Sequence, residues 1–207
     1  ILKLIYLLGN NGSGKSKILS AFGALQYLTT NIRERDDELL RHKPFAFDED
    51  CLKKPSTIEI IYHIDDRRFS YTIEWNRDAI HNEYLKEIRG KNEIELFHRW
   101  YDEEKELVRV DFMPKMQMSD NEAYIVKTTL LKNNSLLSVI AKTNISHNLL
   151  KTQFVFFSKG FDIVELEDTY AKSSIIDFNG ERYGIIHLPK FYINFEDVKA
   201  RDAFKAV

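Results

Sequence analysis

The sequence predicts an α/β fold: a strand, a glycine-lined loop and a helix, then an antiparallel β-meander and a largely helical segment. Three observations predict it. The apolar run Ile1 to Leu8 feeds the octet Gly9-Asn10-Asn11-Gly12-Ser13-Gly14-Lys15-Ser16, and helical periodicity follows at once. From Thr57 to Trp100 the apolar period falls to two, as in half-buried strands, and from Asn134 to Gly160 helical spacing returns.

The elements follow in order. Ile1 to Leu8 is too short to span a bilayer and reads as a buried strand. The chain begins with Ile inside that strand, so residues are expected upstream. Ile18, Leu19, Phe22, Leu25 and Leu28 then recur at helical spacing, which predicts one amphipathic helix from Ser16 to about Leu28. The charged run from Asn31 to His42 reads as a solvated helix end, and "HKPFAFDEDCLKKP" as a loop broken by two prolines. "STIEIIYHI", the turn "DDRR" and "FSYTIEW" form one hairpin, and "AIHNEYLKEI", "RGKN" and "EIELFHRW" a second, which gives four strands. Residues 101–132 are polar and irregular. "NSLLSVIAKTN" and "SHNLLKTQFVFFSKG" read as short helices, with Asn134 or Ser135 and Ser146 as N-caps and Gly160 as a stop. "FDIVELED", "SSIIDF" and "RYGIIHL" alternate like strands, and "NFEDVKARDAFKAV" starts a helix.

Composition narrows the function classes. With 207 residues, 43% of them hydrophobic, the chain can bury a real core. Its formal net charge of -2 gives no global electrostatic case for nucleic acid or a membrane surface. The single Cys51 fits a reducing compartment, and a cytoplasmic location is expected. His42, His63, His81, His98, His147 and His187 never fall at metal-ligand spacing. The many Phe and Tyr residues sit where a core is needed, and "RERDDE" and "DEEKE" read as solvated faces.

Chemistry concentrates in the octet, which satisfies the phosphate-binding pattern GxxxxGK[ST]. Gly9, Gly12 and Gly14 have no Cβ, so the main chain can take positive φ and curl round a β-phosphate. Amides from Asn11 to Ser16 then converge at a helix N-terminus, where the dipole favours negative charge. Lys15, the catalytic candidate, places its charge between the β- and γ-phosphates, and the Ser16 hydroxyl is the ligand for magnesium. Asn11 stands beside the γ-phosphate. The expected nucleotide-binding set is Gly9, Asn10, Asn11, Gly12, Ser13, Gly14, Lys15, Ser16 and Lys17, with ATP and Mg2+ as cofactors. "SKGFD" does not supply a guanine-reading segment, which disfavours GTP.

Hydrolysis also needs an acid at the end of a second apolar strand and a group that positions water. Asp65-Asp66 ends an apolar strand, but "RRFSYTIEW" follows directly, so the pair reads as a hairpin tip. "FDIVELED" is interrupted by charge. Gln117 and Gln153 lack convincing flanks for a magnesium-sensing glutamine, and neither is assigned.

"GNNGSGKS" resembles the loop of ABC-class and SMC-like ATPases. "PFAFDEDCLKKPS", "IEIIYHIDDRRFSYTIEW", "EYLKEI", "EIELFHR" and "NNSLLSVIAKTN" are similar, in the same order, to the amino-terminal half of bacterial AAA-15/AAA-21-type ATP-binding proteins. Those proteins include ATPase subunits of abortive-infection and other anti-phage systems. The resemblance implies that residues 1–207 form the amino-terminal lobe of a P-loop NTPase. Within it, 1–30 would be the P-loop strand and helix, 55–100 the antiparallel meander, 101–160 a mainly helical insertion, and 161–207 strands returning to the core. The carboxy-terminal lobe, with its serine-glycine signature and Asp-Glu strand, is absent from the sequence. The implied activity is ATP hydrolysis in the completed assembly, through a homodimer or higher homo-oligomer closed on the ATP site. An effector nuclease or toxin subunit is the implied partner, with nucleic acid not indicated and no membrane. A small-molecule or nucleotide kinase and a non-catalytic nucleotide-gated module are the alternatives the residues leave open.

Overall fold

The computed structural model describes residues 10, 13–35, 42, 44, 51–52, 54–160, 162–165, 174–178, 181–185 and 191–194, the last four segments through their backbone. Two compact units emerge, one of Ala24–Ser158 and one joining Ile1–Gly23 to Lys159–Val207. The proposed strand at Ile1 to Leu8 and, apart from Asn194, the helix proposed at "NFEDVKARDAFKAV" lie outside the described residues.

The unit Ala24–Ser158 is built on a five-stranded antiparallel meander, β1 (Ser56–Ile64), β2 (Arg67–Trp75), β3 (Ile80–Arg89), β4 (Asn92–Asp102) and β5 (Leu107–Phe112), in sequence order. Alternation forces the pairing, because a slip of one residue would turn every apolar side chain to water. Asp65 and Asp66 do form the β1–β2 tip, with Ile64 opposite Arg67 and Asp65 at φ 52°, a left-handed value that Asp tolerates. Gly90, at φ 61°, turns β3 into β4. Asn76 closes the β2–β3 loop by accepting the amides of Asp78 at 2.8 Å and Ala79 at 3.0 Å.

The expectation of four strands falls one short. β5 pairs with β4 from Phe97↔Phe112 to Asp102↔Leu107, inside the stretch taken as irregular. Its two-residue alternation is only six residues long and is flanked by the charged turn 103–106. As an edge strand it also carries Arg109 and Asp111, charges that guard an unpaired edge and hide the pattern.

One face of the sheet receives the helices. Leu25 and Leu28 of α1 (Lys15–Thr30), every residue of α3 (Leu136–Ile140), and Leu150 and Phe157 of α4 (Asn148–Lys159) are buried with Phe69, Tyr71, Ile73, Leu85 and Phe97. Tyr62 stacks on Phe156 with centroids 4.2 Å apart, and Phe157 meets Tyr71 at 4.9 Å. α2 (Asp120–Thr129) follows a 3-10 turn at Pro114–Met116.

Helix starts follow side-chain chemistry. Ser119 opens α2 with a reciprocal capping box, its Oγ accepting from the Glu122 amide while the Glu122 carboxylate accepts from the Ser119 amide. Ser119→Ala is expected to cost about 1 kcal/mol in chemical denaturation. An unchanged midpoint would show the cap to be idle. Ser135, not Asn134, caps α3. For α4 the expected cap Ser146 gives way to His147, whose carbonyl accepts from Lys151 N–H at 3.1 Å and whose Nδ1 meets Leu150 N–H at a long 3.5 Å.

The charge run after α1 is not solvated throughout. Arg33 is buried, its guanidinium donating to the carbonyls of Asn133 at 3.0 Å and Tyr27 at 3.2 Å and lying over the Tyr27 ring. Asn134 takes both main-chain groups of Arg33 at 2.7 Å, and Ser135 Oγ donates to the Leu28 carbonyl at 2.8 Å. "NNS" is therefore a clamp on the end of α1.

In the other unit, β6 (Asp162–Glu165) pairs antiparallel with β9 (Phe191–Asn194), and β7 (Ser174–Phe178) with β8 (Glu181–Ile185). β9 was not read from the sequence, and it ends on Asn194, the residue at which the sequence predicts a helix to start.

Candidate functional site

Of the nine predicted phosphate-loop residues, Gly9, Asn11, Gly12 and the Lys15 side chain lie outside the described residues. The rest define a loop-to-helix transition. Ser13 N–H donates to the Asn10 carbonyl at 3.2 Å, closing a turn. Gly14 follows at φ +90°, and its carbonyl accepts from Lys17 N–H at 2.9 Å and Ile18 N–H at 3.2 Å, so α1 starts there. A Cβ on Gly14 would meet nothing within 4 Å. The demand for glycine is conformational rather than steric, since L side chains avoid that φ.

This arrangement suits an anion. Apart from the Lys17 amide held by Gly14, the amides that open a helix have no carbonyl one turn earlier to bond, and they carry the positive end of a dipole built here over 16 residues. No acidic residue occupies the first turn of α1 to compete. Ser16 and Lys17 are exposed, and Ser20 Oγ donates to the Ser16 carbonyl at 2.8 Å.

Among the described residues, three acids that the sequence or burial singles out are committed to structure. Asp65 and Asp66 sit at an exposed hairpin tip. Glu83 is fully buried; it accepts from Tyr71 Oη at 2.9 Å and from the Leu136 amide at 2.7 Å, pinning the start of α3 to the sheet. Arg99 faces it across the β3–β4 pair and donates to the carbonyls of Ile80, Leu131 and Lys132. Burial pushes the Glu83 carboxyl above its usual range even though Arg99 and the hydrogen bonds pull it down, and burial lowers Arg99 to about 10. Folding therefore favours the protonated Glu83. Its contribution to stability is full below the ordinary glutamate range and is lost as pH rises through the raised folded value. Denaturation midpoints against pH should show this decline, and Glu83→Gln should flatten it. An identical slope in the variant would remove Glu83 as its source.

Among the described residues no group of three or more His, Cys, Asp and Glu side chains could hold a metal ion. His98 stacks between Tyr84 and Trp100 on the sheet, and His147 Nε2 lies 2.8 Å from the Met116 carbonyl. Gln117 and Gln153, unconvincing singly in the sequence, line one cleft, which also takes in Arg67, Arg89 and Lys115. Sequence reasoning missed that grouping because the residues come from four separate segments.

Among the described residues no helix is long and apolar enough to cross a membrane. The AAA_21 family model, described as "AAA domain, putative AbiEii toxin, Type IV TA system", matches residues 4–116. No curated protein and no solved structure matches the chain.

Proposed function

The chain belongs to this AAA-domain family of nucleotide-binding, ATPase-like proteins, and from that premise we propose that it is the ATP-binding amino-terminal lobe of an ABC/SMC-like ATPase. ATP and magnesium occupy the loop Gly9 to Ser16, with Lys15 on the β- and γ-phosphates and Ser16 on the metal. The observation that carries this reading is Gly14 in its left-handed conformation between the Asn10–Ser13 turn and the first turn of α1. That backbone form is what turns amides toward a bound phosphate.

Hydrolysis also requires a catalytic acid and a group that positions water. Glu83 is spent on Tyr71 and Leu136 and Asp65-Asp66 on a turn, so these three acids do not supply the first of them. A second protomer caps the γ-phosphate, and ATP acts as the adhesive of a clamp whose opening controls an effector in anti-phage defence in the cytoplasm.

The test is Mg-ATP binding by the full-length protein and by Lys15→Ala. Loss of a charge-assisted contact to phosphate should weaken affinity by roughly tenfold to a hundredfold. Equal affinity in the two proteins would exclude the loop as the nucleotide site.

A further inference from the structure

The unit Ala24–Ser158 contains a cleft of about 620 Å³, within the range of small-molecule sites. Its wall is assembled from the β1–β2 tip (Asp65, Arg67), the end of β3 (Arg89), the 3-10 turn (Lys115, Gln117) and the start of α4. Three cations from three segments converge there against one lining carboxylate, Asp65. Glu87, nearly buried, holds Arg67 Nε at 3.0 Å and Arg89 Nη2 at 2.9 Å. Each arginine is thereby positioned with donors to spare, because a guanidinium has five. Lys115 makes no ion pair with any described residue.

The cleft also contains an unmet hydrogen-bond demand. Gln153, in the second turn of α4, is fully buried; its Oε1 accepts from Tyr62 Oη, which turns its Nε2 away, and Nε2 has no partner. Buried amide donors rarely go unused in native proteins. α4 is 12 residues long, and its amino-terminal residues Asn148 and Leu149 line the same wall, so its dipole adds positive potential.

We propose that this cleft is a second ligand site, distinct from the loop at Gly9 to Ser16, and that it takes a small phosphorylated molecule. The phosphate is gripped by Arg67, Arg89 and Lys115, at a wall backed by the buried Gln153 amide. Phosphate is favoured over a carboxylate because several fork-like and point donors suit a group with three charged oxygens.

The probes are AMP, inorganic pyrophosphate and, as a carboxylate control, glutarate, titrated calorimetrically into the full chain. The full chain carrying Lys15→Ala should bind a phosphate probe as well as the unsubstituted protein does. Arg89→Ala with Lys115→Ala should lose at least about tenfold, the equivalent of one charge-assisted hydrogen bond, while Mg-ATP affinity at the loop stays unchanged. Any one of three results overturns the proposal: no binding of either phosphate probe, binding that disappears with Lys15→Ala, or binding of glutarate alone.

Discussion

Arg99→Ala is expected to destabilise the unit Ala24–Ser158 by about 3–5 kcal/mol, from the loss of hydrogen bonds donated by a charged group, at about 1.5–3 kcal/mol each. Arg99 is fully buried and its guanidinium serves the carbonyls of Ile80, Leu131 and Lys132, so it ties the β2–β3 connection and the approach to α3 to one strand. The variant would remove the charged donor from all three, leaving Leu131 the Asn134 amide at 3.1 Å and Lys132 the Ile80 amide at 2.8 Å, and would leave Glu83 without the cation opposite it. Arg99→Lys should recover only part, because one ammonium cannot reach three carbonyls in a plane. The measurement is the urea midpoint of each variant. A loss below about 1 kcal/mol for Arg99→Ala, the range of an exposed pair, would show that water replaces the guanidinium at no great cost and that the network is dispensable.

Asn134→Ala should cost about 1–3 kcal/mol, from two buried hydrogen bonds lost at about 0.5–1.5 kcal/mol each. The Asn134 amide pairs with Arg33 as a neighbouring strand would, Oδ1 accepting the N–H and Nδ2 donating to the carbonyl, both at 2.7 Å. With Asn133 Nδ2 on the Glu34 carbonyl at 2.8 Å and Ser135 Oγ on Leu28, this short run holds the exit of α1. Hydrogen exchange adds a local readout: the amide of Arg33 should lose protection in Asn134→Ala. Protection that survives there would mean another group already serves Arg33.

The left-handed turn at Gly14, the helix after it and the two-residue hairpin tip at Asp65-Asp66 could be read directly. Each is encoded by neighbours in the chain, through glycine conformation, 3.6-residue spacing or alternation around a turn. Ser135 was among the candidate caps for the same reason, since a cap acts three residues away. β5 lay at the limit of that reach, its six residues too few and too charged to stand out from the turn before them.

Burial of charge was decided elsewhere. Arg33 sits in a run that reads as solvent-facing, yet its partners Asn133 and Asn134 lie a hundred residues onward. Glu83 and Arg99 look like ordinary polar positions of alternating strands until α3 arrives to cover them. Likewise the residues of the cationic cleft share no local pattern, because the meander and α4 bring them together only when folded. The sequence by itself determined the first helix, the two hairpins and the glycine turn at Gly14, whose physics is local. The tertiary structure alone decided which polar groups lose water and which cations converge, because desolvation and charge proximity depend on what the rest of the chain places beside them.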